Sequence, residues 1–128
     1  MSKTSTMLAG IHCLVLDDEF LIALDIQDML EQSGAASVTC VSNADDALAT
    51  IRETKFDLAV LDLNLAGGTR TGLLVAAALT VQKIPFTFLT GMRRDAIVLT
   101  DYLHVPIVEK PYQPPLLLAA IQQALRVA

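Results

Sequence analysis

Apolar residues fall into short unbroken runs that alternate with stretches of three- and four-residue spacing. Ile11–Leu16 is apolar except for His12 and stops at Asp17-Asp18-Glu19, as expected of a strand buried on both faces. Leu21, Ile22, Ile26, Met29 and Leu30 then recur at helical spacing, and Gly34 is a natural stop. Ser37–Val41 alternates like a second strand. Asn43 is placed to cap a helix running to about Thr54, with Ala44, Ala47, Leu48 and Ile51 on one face. Leu58–Leu61 predicts a third buried strand ending at Asp62, followed by the glycine-rich loop of residues 64–69. A third helix is predicted from about Thr71 to Gln82, carrying Leu74, Val75, Ala78 and Leu79. Beyond Pro85, Phe86–Leu89 predicts a fourth strand ending at Thr90-Gly91. Met92–His104 reads as a short helix or an ordered loop. Val105–Val108, interrupted by Pro106, suits an edge strand. The Pro114-Pro115 pair opens a last helix with Leu117, Leu118, Ile121 and Leu125 on its apolar face.

This alternation is (βα)5. Strands joined by helical crossovers pair in parallel with helices on both faces, which defines a doubly wound α/β domain. Residues 1–8 read as a disordered N-terminal segment and residues 9–128 as the domain.

Composition narrows the function. The chain has 128 residues, 53% of them hydrophobic and 18% charged, enough apolar material for one packed core. Nine Lys and Arg against 14 Asp and Glu leave a formal charge of −5, which argues against nucleic-acid backbones and anionic membranes as partners. Two cysteines neither make a disulfide scaffold nor carry zinc-ligand spacing, and both Cys13 and Cys40 read as small buried hydrophobes. His12 and His104 show no ligand spacing and read as structural or surface groups. With no secretory signal and no membrane-length apolar run, a cytoplasmic location is expected.

In doubly wound sheets the working site lies outside the carboxyl ends of the strands. Here those ends carry Asp17, Asp18 and Glu19 after strand one, Asp62 after strand three, Thr90 after strand four and Lys110 after strand five. Two carboxylates about 5 Å apart repel by roughly 3 kcal/mol at an effective dielectric near 20. Several together require a cation or a raised pKa. Hard oxygen ligands with room for phosphate oxygens favour Mg²⁺, with Asp17, Asp18, Asp62 and the main-chain carbonyl of Asn64 as candidate ligands. Lys110 offers a point charge and Thr90 a hydroxyl to phosphoryl oxygens. The set suits phosphoryl transfer onto Asp62 as nucleophile.

Leu16-Asp17-Asp18-Glu19, Leu61-Asp62, Leu89-Thr90-Gly91 and Lys110-Pro111, in this order, resemble the receiver domain of two-component response regulators over about residues 10–127. The resemblance implies a flavodoxin-like (CheY-like) five-stranded sheet of order 2-1-3-4-5. It implies that a sensor histidine kinase or a histidine phosphotransfer protein donates the phosphoryl group to Asp62. It also implies that Asp17 and Asp18 are the acidic pair, Thr90 the switch hydroxyl and Lys110 the conserved ammonium. The segment Pro85-Phe86-Thr87-Phe88-Leu89-Thr90-Gly91 looks like the receiver branch with a Phe-Ala-Thr-Gly signature, Leu89 replacing its Ala. Ile107 stands where most receivers carry an aromatic residue.

The expectation is a single-domain response regulator, not an enzyme beyond self-catalysed phosphoryl acceptance and slow autodephosphorylation. It would signal by phosphorylation-dependent protein binding or drain phosphoryl groups from a kinase, as a monomer or a phosphorylation-dependent dimer. The alternative is a phosphorylation-independent binding module with a vestigial site, for which Ile107 speaks. An aspartyl phosphatase fits less well, because Asn64 stands where such enzymes commonly place a second acid.

Overall fold

The computed structural model describes residues 6–63, 65, 69–91 and 101–126. Its elements in chain order are β1 (His12–Leu16), α1 (Phe20–Gln32), β2 (Ser37–Val41), α2 (Ala44–Glu53), β3 (Leu58–Asp62), α3 (Thr69–Val81), β4 (Phe86–Thr90), β5 (Ile107–Glu109) and α4 (Pro114–Arg126). All strand pairs are parallel and the sheet runs β2-β1-β3-β4-β5, the doubly wound flavodoxin-like order.

Alternate residues of each central strand feed opposite layers, as the two-residue strand period requires. Leu14, Leu16, Ala59, Leu61, Phe86 and Phe88 pack with Ala47 and Ile51 of α2 and Val75 and Leu79 of α3. Cys13, Val15, Leu58, Val60 and Leu89 pack on the other face with Ile26 and Leu30 of α1 and Leu117 and Ile121 of α4. All five residues of β3 and of β4 are buried, which accounts for their unbroken apolar runs.

Local signals held in several places. The Asn43 side chain accepts the Asp46 N–H at 2.8 Å and donates to the Asp46 carboxylate at 3.0 Å, closing the first turn of α2. Gly34, at φ 98°, takes the left-handed residue that ends α1, and the N–H of Ala35 returns to the Leu30 carbonyl.

Elsewhere the structure departs from the pattern. Leu21 of α1 is exposed, because the buried stripe is Ala23-Ile26-Leu30 and a helix this close to the sheet seats only a narrow face. Leu74 of α3 is likewise exposed, one residue off the Val75–Leu79 stripe. Cys40 is exposed rather than buried, because β2 is an edge strand. The fifth strand begins at Ile107, two residues later than the apolar run. Val105 closes a turn on the Tyr102 carbonyl, and Pro106 has no N–H to give the ladder. The Pro106 carbonyl instead accepts both the Phe88 N–H and the Thr87 hydroxyl, each at 2.9 Å. Leu8, assigned to the N-terminal segment, is fully buried and donates its N–H to the Ser33 carbonyl. A lone leucine in a polar stretch carries no period from which that could be read. Of the segment left open between helix and loop, residues 92–100 lie outside the described residues. Tyr102 packs edge-on against Phe86 and Phe88, with centroids 5.9 and 5.8 Å away.

Candidate functional site

Five strands in parallel deliver their carboxyl ends to one rim. β1 ends at Leu16, so Asp17 is the first residue past the sheet, and its N–H still donates to the Val41 carbonyl of β2. That bond holds the Asp17 backbone in the strand direction and leaves the side chain buried at the rim. Its Oδ1 accepts the N–H of Glu19 at 2.9 Å, which turns the chain into α1. Asp62 is the last residue of β3 and is fully buried. Gly72 of α3 lies against its main chain: a Cβ there would come within 3.2 Å of the Asp62 carbonyl oxygen, a tight approach that a side chain would have to push back by a few tenths of an ångström.

Lys110 follows β5, and its N–H donates to the Thr90 carbonyl at 2.7 Å, extending the β4–β5 ladder by one bond. From there its Nζ reaches 3.0 Å from Asp17 Oδ2, 3.1 Å from Glu19 Oε1 and 3.2 Å from Asp62 Oδ2. One ammonium thus contacts carboxylates from two strand ends and a helix start. Burial alone lowers the pKa of Lys110. The hydrogen bonds it donates to Asp17 and Glu19 and the charge of Asp62 more than offset it and leave the ammonium above its ordinary value.

Asp17, Asp18, Glu19 and Asp62 each offer a carboxylate oxygen, and these atoms all lie within 4.8 Å of one another. The formal charge of the four acids with Lys110 is −4 + 1 = −3. Like charges at that spacing repel by about 3 kcal/mol per pair at an effective dielectric near 20, so the cluster favours positive charge beside it. An all-oxygen donor set, part buried and part open to water, fits Mg²⁺ better than zinc or copper. Asp17 and Asp62 are buried while Asp18 and Glu19 are exposed, so the cluster opens to solvent on one side.

The structure therefore brings Asp17, Asp18, Asp62 and Lys110 together. Thr90 is the fully buried last residue of β4, on the same rim and paired in register with Glu109. Asn64 lies outside the described residues. Glu19 was legible as a third acid, but its ion pair with Lys110 depends on the turn at Asp17. Tyr112 and Asp25, 87 residues apart in sequence, meet beside the site with the phenol donating to Asp25 Oδ2 at 2.7 Å. No sequence signal joins them. An apolar cavity of about 270 Å³ lies at the other end of β4 and β5, lined among others by Lys83, Phe86, His104 and Pro106, and it takes in none of these acids.

A five-stranded doubly wound sheet with an acid cluster and a lysine at its carboxyl rim defines a class, and comparison with known proteins specifies it. The response regulator receiver domain family matches residues 13–122. The chain belongs to that family. Among curated proteins it is similar to the transcriptional regulatory protein YvrH of Bacillus subtilis (strain 168), at 29% identity over 117 residues, 88% of this chain and 48% of YvrH. Among solved structures it is similar to SdrG from Pseudomonas melonis Fr1 in its BeF3-activated conformation, with 34% identity, TM-score 0.77, and coverage of 93% of this chain and 99% of that one. It is also similar to the response regulator PhyR from Brucella abortus, with 28% identity, TM-score 0.74, and coverage of 95% of this chain and 50% of that one. The chain spans about half the length of YvrH and of that PhyR chain. Among the described residues no helix is long and apolar enough to cross a membrane.

Proposed function

We propose that this receiver domain is a phosphoacceptor switch in which Asp62 takes a phosphoryl group from the phosphohistidine of a histidine kinase or a histidine phosphotransfer protein. The observation that carries the reading is the Lys110 ammonium lying 3.0 Å from Asp17 and 3.2 Å from Asp62, within a cluster of four carboxylates whose oxygens lie within 4.8 Å of one another. SdrG, at 34% identity, is known in a BeF3-activated conformation, which supports an activatable site in a related chain.

In this reading a carboxylate oxygen of Asp62 attacks phosphorus and forms the new O–P bond. The P–N bond breaks with its electron pair passing to the donor imidazole, which leaves neutral when its other nitrogen carries a proton. Asp17, Asp18 and Asp62, with the main-chain carbonyl of Asn64, would hold Mg²⁺. The ion would supply positive charge to phosphoryl oxygens and relieve repulsion among the acids. Lys110 binds a further phosphoryl oxygen as it exchanges part of its contact with Asp62. Thr90, at the end of β4, donates its hydroxyl to another and couples the new group to the chain that follows. Phe20, Leu21 and Leu24 are 74%, 76% and 49% exposed on the first turns of α1, directly after the acids. An apolar surface beside the rim suits a protein donor and would be idle with a small-molecule donor alone. The phosphorylated domain then binds another protein or drains a shared kinase, with only slow self-dephosphorylation. The acceptor unit extends over residues 9–128.

Acetyl phosphate with Mg²⁺ is expected to add one phosphoryl group by intact mass, and Asp62→Asn is expected to abolish the addition. An unchanged yield in that variant refutes the assignment. No addition to the wild-type chain, with no Mg²⁺-dependent NMR shifts at Asp18 or Asp62, marks a binding module that works without phosphorylation.

A further inference from the structure

Lys110 sits at the start of a short connection, residues 110–113, between β5 and α4. Its ammonium ends a long flexible stem, so its position depends on how the connection is held. On one side the Lys110 N–H is tied to Thr90 of β4. Across from it, Tyr112 packs against the apolar layer under α1 and α4, and its hydroxyl donates to Asp25 Oδ2 at 2.7 Å. Asp25 lies on α1, six residues after Glu19, so this bond spans from the lysine connection to the helix that the acids open.

We infer that Tyr112 is a positioning residue for phosphoryl acceptance: bonded to Asp25, it clamps the 110–113 connection to α1 and so keeps the Lys110 ammonium between Asp17, Glu19 and Asp62. This rests on the phosphoacceptor reading above. Two loop ends moored to two different elements leave the lysine little lateral freedom, whereas one mooring at Thr90 leaves the connection free to swing outward from the rim. Burial, and then the bond to Asp25, hold the Tyr112 phenol above its ordinary pKa, so it remains the donor over the whole working range of pH. The clamp holds the ammonium and reaches the metal ligands only through that ammonium's charge. Its loss is therefore expected to separate two quantities that a general loosening of the site would change together.

The experiment uses Tyr112→Phe, Asp25→Ala, the double variant and Asp25→Asn in the full chain, with acetyl phosphate and Mg²⁺. Phenylalanine keeps the ring in its apolar contacts and removes only the hydroxyl. Tyr112→Phe is expected to slow phosphoryl acceptance about 3- to 10-fold, the size of one net hydrogen bond, with the Mg²⁺ dissociation constant held within about twofold. Asp25→Ala should match it, and the double variant should be no slower than either single one, since all three remove the same bond. Asp25→Asn keeps a side-chain carbonyl acceptor and should restore the wild-type rate. In the magnesium-free protein the Lys110 Cε NMR resonance should move in Tyr112→Phe and Asp25→Ala. An unmoved resonance, or additive slowing in the double variant, overturns the clamp. Failure of the wild-type chain to accept phosphoryl at all would sink the phosphoacceptor reading instead, while the Lys110 resonance would still decide whether Tyr112 places the ammonium.

Discussion

An acid flanks β3 at each end: Asp57 just before Leu58, and Asp62 as its last residue. At the amino end, Asp57 Oδ2 accepts the backbone N–H of His12 at 3.0 Å, and the His12 ring meets the Ser37 hydroxyl at 2.7 Å. The Asp57 N–H donates to the His12 carbonyl in return. Asp57 there exchanges hydrogen bonds with the His12 backbone, and the end is tied off. At the carboxyl end, Asp62 faces Asp17, Asp18 and Glu19 beside the Lys110 ammonium. Among the described residues four carboxylates gather there. The same residue type on the same strand is thus structural where the backbone satisfies it and chemical where like charges crowd it. The cause is directional: parallel strands bring all their carboxyl ends, and the loops that follow them, to one side.

Lys110→Ala should give the largest effect, because it removes the ammonium that contacts Asp17, Glu19 and Asp62. Phosphoryl acceptance is expected to fall about 100-fold, the loss typical of a preorganised electrostatic contact. Mg²⁺ should bind more tightly in the same variant, since a competing positive charge has gone. A rate and an affinity that fall together, in phosphorylation assays and calorimetry, would contradict the arrangement.

Asp57→Ala is the matched change at the other end. It should lower unfolding free energy by about 1 kcal/mol, the net worth of one backbone-to-carboxylate hydrogen bond, and leave acceptance and Mg²⁺ affinity unchanged. Denaturant titration and the phosphorylation assay would measure both, and a slowed acceptance would show that the two ends are coupled.

The smallest effect at neutral pH concerns Cys13, buried in β1 near Asp57. Burial first, and the Asp57 charge second, push its thiol from 9.0 to about 12. The folded thiol stays protonated where the unfolded one ionises, so the unfolded state binds fewer protons. Its contribution to stability is therefore present below about pH 9.0 and lost as pH rises towards 12. Cys13→Val should show a shallower alkaline decline in denaturant midpoint than the wild type, and identical slopes would remove the thiol from the account.

Much of this molecule was legible before any coordinates. Asn43, Gly34 and the Pro114-Pro115 pair mark helix ends through local chemistry, and each does so where the chain places it. The runs Leu58–Leu61 and Phe86–Leu89 are mostly apolar because both faces of a central strand are covered, a condition that leaves its signature in composition. From the strand order alone, Asp17, Asp62 and Lys110 could be assigned to one rim. Less visible were features set by an element's neighbours. Cys40 and Leu21 are apolar residues in well-formed elements, yet whether they are covered depends on which strand lies at the edge and how widely a helix seats.

Periodicity and turn chemistry operate over a few residues, so the chain's own order specified its elements, their parallel pairing and the acids that end them. Which side chains touch across that rim is a matter of ångströms between segments far apart in sequence. The ion pair of Lys110 with Glu19 and the bond of Tyr112 to Asp25 exist only because packing against a common sheet brings the connection after β5 within reach of the start of α1.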